Sequence, residues 1–247
     1  MPPLPPARRH RAHEPQPRGD RCPHRKEFIA LLVNGAAGQI NNRDPFEVEP
    51  DRGHARARRI AAALAGEVIK TIQLNRPRPA AAVAGLTAAV EVPKKAIAAA
   101  DVETARAILR GDPLPAGSAP FSWVVGQPIP RGLWPAYAVE CLRMAQLPPA
   151  TLSEVQALRV GDSAWVGLPG DAFAEIGTAI KEASPAAVTG IISHANDNVG
   201  YIPTDKALLE EGGYETWGGP TFFAGPGSAE AMIAAARRLL DQLFANP

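Results

Sequence analysis

Residues 152–168 limit the folds open to this chain more than any other stretch. Residues 152–160 mix apolar and polar side chains in loose alternation, Gly161-Asp162 is a turn signal, and residues 163–168 return with a second apolar run. Alternation with a period of two predicts a half-buried strand, and a Gly-Asp turn between two such runs predicts an antiparallel hairpin. A hairpin cannot cover its own apolar face. The surrounding sequence therefore has to supply further strands or helices to pack with it.

Helical patterns do flank it. In residues 53–72, Ile60, Leu64, Val68 and Ile72 recur four apart, while Arg56, Arg59, Glu67 and Lys70 occupy other faces. Shorter helices are predicted over 101–110, with Asp101 as N-cap, and over 133–147. Pro169-Gly170-Asp171 is expected to open a helix running to about Glu182, and residues 229–244 a closing helix with Met232, Ala235, Leu239 and Leu240 on one face. Further strands are expected at 28–33, 79–93 and 187–193, one or two helical turns at 205–211, and a loop-rich segment at 113–130. Strands and helices are interspersed. The expected class is α/β, of the mixed α+β kind, with a central mixed sheet flanked by helices.

With 247 residues, 46% of them hydrophobic, the chain has ample material for a core. The net charge of +1 gives no electrostatic reason to expect nucleic acid or an anionic membrane as partner. The charge is uneven. Residues 1–26 hold seven Arg or Lys against two Asp or Glu, together with seven prolines and almost no large apolar side chain. Such a segment buries too little surface to offset the entropy of ordering, so 1–26 reads as a disordered basic leader and 27–247 as the folded domain. The leader has no apolar run of signal-peptide length, and no stretch reaches the roughly 20 apolar residues of a transmembrane helix. As it stands the chain reads as cytoplasmic. Cys22 and Cys141 are too few and too dispersed for a disulfide framework or a cysteine zinc site.

Three segments carry candidate chemistry. Asp171 follows the hairpin, where a carboxylate either caps a helix or reaches a metal. Tyr201 lies in the turn-rich run Asn196-Asp197-Asn198-Val199-Gly200-Tyr201, as a packing residue, a hydrogen-bond donor or an oxygen ligand. The turn Gly35-Ala36-Ala37-Gly38 suits a close backbone approach, but it has neither the Lys nor the Ser/Thr of a P-loop. His194 precedes the Tyr201 loop and is near enough in sequence to line the same pocket. Tyr214, in Gly212-Gly213-Tyr214-Glu215, either packs or lines an entrance, as does Trp217.

Val33-Asn34-Gly35-Ala36-Ala37-Gly38-Gln39-Ile40-Asn41, Leu168-Pro169-Gly170-Asp171 and Asn198-Val199-Gly200-Tyr201-Ile202-Pro203-Thr204, in that order and spacing, resemble segments of the neutral ceramidase family. Members hydrolyse the amide of N-acylsphingosines to sphingosine and fatty acid with zinc. The resemblance spans roughly residues 28–245 and implies that this is the C-terminal part of such a catalytic domain, with an N-terminal part missing. It implies zinc as cofactor, Asp171 and Tyr201 as metal ligands, and a lipid amide or other small molecule as substrate. It also implies a substrate-facing region with Gly35, Gly38, His194 and Tyr214. Where the family has Pro-Gly-Glu this chain has Asp171, and Asn41 falls where the family has its essential serine. Asparagine can hydrogen-bond a carbonyl but offers no hydroxyl nucleophile. The family's two zinc histidines come from upstream of the Gly-rich turn, and Asp171 with Tyr201 falls short of the three protein ligands typical of catalytic zinc. The rival expectation is a truncated, catalytically silent relative that acts by binding, if at all. The oligomeric state is not legible in the sequence.

Overall fold

The computed structural model describes residues 30–42, 53–75, 81–114, 119–219 and 224–245. The disordered leader expected over 1–26, and Cys22 within it, lie outside the described residues. Contacts divide the chain at residue 32, and residues 33–247 form the unit described below.

Helix α1 (Gly53–Leu74) is followed by strand β1 (Val83–Pro93), helices α2 (Ala99–Arg110) and α3 (Trp134–Gln146), and strands β2 (Ala150–Val160) and β3 (Ser163–Gly167). Next come a two-residue strand β4 (Asp171–Ala172), helix α4 (Ala174–Glu182), strand β5 (Val188–Ile192), a second two-residue strand β6 (Tyr201–Ile202) and helix α5 (Ser228–Phe244). Four strands form a mixed sheet in the order β1-β2-β3-β5. The first two pairings are antiparallel and the last is parallel. The fold is α/β, as expected, and the predicted hairpin is β2–β3, closing with Val160 opposite Ser163.

One face of the sheet carries the core. Val90 and Val92 of β1, Val155 and Ala157 of β2, Ala164 and Val166 of β3 and Ile191 of β5 are buried together with Ile176 and Ile180 of α4 and Met232, Leu239 and Leu240 of α5. The alternation read in 152–160 is the cause, because it sends every second side chain beneath the helices. A second cluster joins α2 and α3 through Ala105, Phe121, Trp123, Ala138, Cys141 and Trp217. Burial there pushes the Cys141 thiol up to about 11, with a smaller push from the Asp101 charge.

Local chemistry fixes the ends of these elements. Lys94 Nζ donates to Met144 O at 2.8 Å and Leu147 O at 2.7 Å, satisfying carbonyls at the end of α3. Asp101 proves to be the third residue of its helix rather than the N-cap, which is Ala98. The Asp101 carboxylate accepts from Ala98 N at 3.2 Å and from Ser122 N and Oγ at 2.7 and 2.6 Å, so it ties the 119–124 loop to α2. The strand expected at 28–33 is not formed by its described residues. Residues 30–33 are exposed, and the chain meets β5 only beyond the strand's end, where Ser193 N donates to Asn34 O at 2.9 Å. One such bond does not make a ladder. The 205–211 turns include a π-helical segment, Ala207–Glu211.

Candidate functional site

Beyond the C-terminal end of β3 the chain turns through Leu168-Pro169-Gly170 into β4, and β4 pairs in parallel with β6. Asp171 lies opposite Tyr201 and Ala172 opposite Ile202. The pairing is sealed by Asp171 N donating to Gly200 O at 2.8 Å and Phe173 N to Ile202 O at 3.0 Å. In-register residues of adjacent strands lie about 4.8 Å apart and direct their side chains to the same side of the ribbon. Asp171 and Tyr201, 30 residues apart in sequence, therefore share a face. Asp171 begins no helix: α4 starts at Ala174, with Phe173 as N-cap. The helix-capping reading of Asp171 is corrected on that ground.

The capping role falls to a residue that sequence reading missed. Gln39 Oε1 accepts from Ala174 N at 2.9 Å, and its side-chain amide donates to Glu175. Gln39 belongs to the Gly-rich turn, which this bond fastens to the mouth of α4. Gly38 N donates to Ala172 O at 2.9 Å, and a Cβ at Gly38 would stand 2.5 Å from Asp171 O. Glycine is required there because the turn backbone lies directly against β4. Gly35 O accepts from Ser193 Oγ at 2.8 Å, which ties the start of the turn to the end of β5. Asn41 is exposed just past the turn.

His194 follows β5 with φ +55, and Asn196 has φ +67. Two non-glycine residues in the left-handed region within three positions is uncommon and costs energy. The conformation lets His194 N donate to Gly170 O at 3.1 Å while its ring stays close enough for its charge to act on Asp171. Burial pushes the Asp171 carboxyl above the usual carboxylate range, and the His194 charge partly opposes that rise. The following loop is pinned to β2: Ser153 Oγ donates to Asp197 at 2.8 Å and Asn196 Nδ2 to Glu154 at 2.9 Å.

An aromatic series extends from the ribbon into the second core cluster. The Tyr201 and Tyr214 hydroxyls are 3.3 Å apart and their rings meet edge to face at 5.8 Å. Tyr214 meets Trp217 at 6.5 Å, and Trp217 meets Tyr137 at 5.6 Å. Trp217 is buried and its indole donates to Gln127 O at 3.0 Å, so it packs, whereas Tyr214 is nearly half exposed. The hydrogen bond to Tyr201, then burial and the Glu215 charge, hold the Tyr214 phenol well above its ordinary pKa.

The structure thus gathers Gly38, Asp171, His194, Tyr201 and Tyr214 at one end of the sheet, with Gly35 and Asn41 on the adjoining turn. Among the described residues no three His, Cys, Asp or Glu side chains converge where they could share a metal ion. Asp171 and Tyr201 offer two oxygen donors, which suits zinc in kind but falls short in number. A hollow of about 500 Å³ beside Asp162 lies at the other end of the sheet. Its arginine, Arg159, is held by Leu243 O at 2.9 Å and stacks on Phe244 at 4.6 Å, so it anchors α5. Among the described residues no helix is long and apolar enough to cross a membrane.

No protein-family profile matches the sequence, and no curated protein does. Among solved structures, the chain is similar to a ceramidase complexed with C2, at 15% identity and a TM-score of 0.47 over 78% of this chain and 35% of that one. It is likewise similar to the neutral ceramidase from Pseudomonas aeruginosa, at 15% identity and a TM-score of 0.48 over 90% of this chain and 38% of that one. The chain spans little more than a third of the length of either structure.

Proposed function

We propose that this chain carries the carboxylate-and-phenol part of a zinc-dependent amide hydrolase site of the neutral ceramidase type, acting on a lipid amide. The observation that carries the proposal is the in-register pairing of Asp171 with Tyr201, with His194 beside the carboxylate. A carboxylate and a phenol on one face of a ribbon would hold the ion through oxygen, one ligand short of the three that catalytic zinc usually takes from protein. Bound zinc supplies a Lewis acid and an activated water. The protein's own residues do the remaining work. Tyr214 orients the Tyr201 hydroxyl through their contact at 3.3 Å. Gly38 holds β4 and the turn close together, and Asn41 follows that turn with a side-chain amide, a group that can hydrogen-bond a carbonyl.

The test is zinc stoichiometry of the purified chain by elemental mass spectrometry, beside an Asp171→Ala, Tyr201→Phe double variant and an assay on a short-chain N-acylsphingosine. Near one zinc per chain, lost in the variant, with release of the fatty acid, supports the proposal. No zinc in either protein overturns it and favours a silent relative that acts by binding.

A further inference from the structure

Lys95 is buried, and among the described residues no carboxylate offsets its charge; burial alone lowers its pKa from 10.5 to about 8. An ammonium held in this way costs free energy, and an apolar side chain of similar length would avoid the cost. What the lysine supplies in return is a bond to Thr216 O, 121 positions along the chain, at 2.5 Å. Thr216 closes the short helical turn Tyr214–Thr216, and that turn presents the Tyr214 hydroxyl to Tyr201 at 3.3 Å. We propose that Lys95 is a positioning residue: by holding Thr216 O it sets the Tyr214 hydroxyl against Tyr201. Its bearing on turnover rests on the amide-hydrolase reading of the site, whereas the positioning itself does not.

The lysine has a fixed base. It follows β1 directly, where Gly225 N donates to Pro93 O at 2.7 Å and Lys94 N to Pro149 O at 2.7 Å. A Cβ at Gly225 would stand 2.8 Å from Lys95 N, so the two backbones are pressed together. The turn, by contrast, does little to hold itself. It is three residues long and follows Gly212 and Gly213, with φ +76 and +112. Glycines there have other backbone angles open to them, and a single helical turn has almost no stability of its own. Beyond the turn Trp217 is pinned, its indole on Gln127 O and its carbonyl accepting from the Trp123 indole. Those bonds tie the turn to the cluster between α2 and α3. The Lys95 bond ties it to β1, in the sheet whose strand β3 leads into Asp171. Two hydroxyls at 3.3 Å are near the outer limit of a hydrogen bond, so a displacement of a few tenths of an ångström separates them.

The experiment is fluorine NMR at pH 7 on the full chain labelled with 3-fluorotyrosine. The chain has three tyrosines, so single Tyr→Phe variants assign every resonance. Lys95→Met should move the Tyr214 resonance at least half as far as Tyr201→Phe moves it, and leave Tyr137 in place. Removing the buried charge and losing the bond to Thr216 O oppose each other in stability, so the urea midpoint of Lys95→Met should stay near the parent's. A Tyr214 resonance that does not move overturns the proposal, and if the midpoint also falls Lys95 is a packing residue. A shift at Tyr137 as large as at Tyr214 overturns it too, because the whole aromatic cluster has then loosened. If Lys95→Met does not fold, Lys95→Gln takes its place with the same expected and overturning results; its donor ends one atom short of Thr216 O. Zinc content is measured on the same samples. A chain without zinc in which the Tyr214 shift is still seen overturns the hydrolase reading and supports the positioning role.

Discussion

Asp171 and Tyr201 stand opposite each other across the parallel pair β4–β6, sealed by the bond from Asp171 N to Gly200 O. Tyr201 in turn meets Tyr214, hydroxyl to hydroxyl, at 3.3 Å. Replacing Tyr201 by Phe keeps the ring contact and removes the hydroxyl. The hydrogen bond is the largest cause of the raised Tyr214 pKa. In Tyr201→Phe the Tyr214 phenol should therefore ionise at lower pH, as read by tyrosinate absorbance. An unchanged or higher midpoint would show that the two hydroxyls do not interact in solution.

At His194 the backbone is left-handed. A non-glycine residue pays about 1–2 kcal/mol in that region, so His194→Gly should be more stable than His194→Ala by about 1 kcal/mol in urea denaturation. Both variants lose the charge that holds the Asp171 carboxyl down. In both, Asp171 should titrate higher than in the parent, followed by NMR of its carboxyl carbon.

Lys95 is buried, and its ammonium donates to Thr216 O at 2.5 Å. Burial lowers its pKa from 10.5 to about 8. Below pH 8 the folded and unfolded chains both hold this proton, and the cost of burying the charge is present in full. Between about 8 and 10.5 the unfolded chain holds more protons, so stability contributed by this residue rises with pH. The rise amounts to at most about 3 kcal/mol. Lys95→Met should flatten it, measured as denaturation midpoints from pH 7.5 to 10.5. A parallel rise in parent and variant would assign the slope to other groups.

Gly38 is held against β4. Gly38→Ala puts a methyl 2.5 Å from Asp171 O, a backbone atom that cannot rotate away. The expected loss is about 1–3 kcal/mol of stability, as for other overpacked sites. Amide shifts should concentrate at residues 171–173. A neutral substitution would mean that the turn does not lie on the ribbon.

Leu240 is fully buried between α5 and the sheet. Leu240→Ala should cost about 2–5 kcal/mol in chemical denaturation. A cost below about 1 kcal/mol would show that the core beneath α5 is loosely packed.

Elements with several repeats of their own period were legible. The alternation over 152–160 marked β2, the Gly161-Asp162 signal marked its turn, and the four-residue spacing from Ile60 to Ile72 marked α1. The candidate site was legible only as separate segments. β4 and β6 have two residues each, too few to carry any periodicity, so nothing local announces that Asp171 pairs with Tyr201. Pro-Gly-Asp before an apolar run reads as a helix start, yet Asp171 is in a strand because Gly200 O and Tyr201 are there to pair with it.

The sequence by itself determined the class of fold, the places of β1, β2, β3 and β5 and of the helices, and the buried side of β2 and α5. These depend on periodicity within a few residues, and burying the apolar side is the dominant gain in folding. Only the tertiary structure decided that Gln39 caps α4, 135 positions from Ala174, and that Gly38 lies against Asp171. It also decided that Asp171, His194, Tyr201 and Tyr214 meet at one end of the sheet. Those contacts join residues far apart in the chain, and no local pattern encodes them. They form because packing the sheet under α4 and α5 brings the ends of β3 and β5 side by side, and the loops that leave those ends must then satisfy one another's backbone groups.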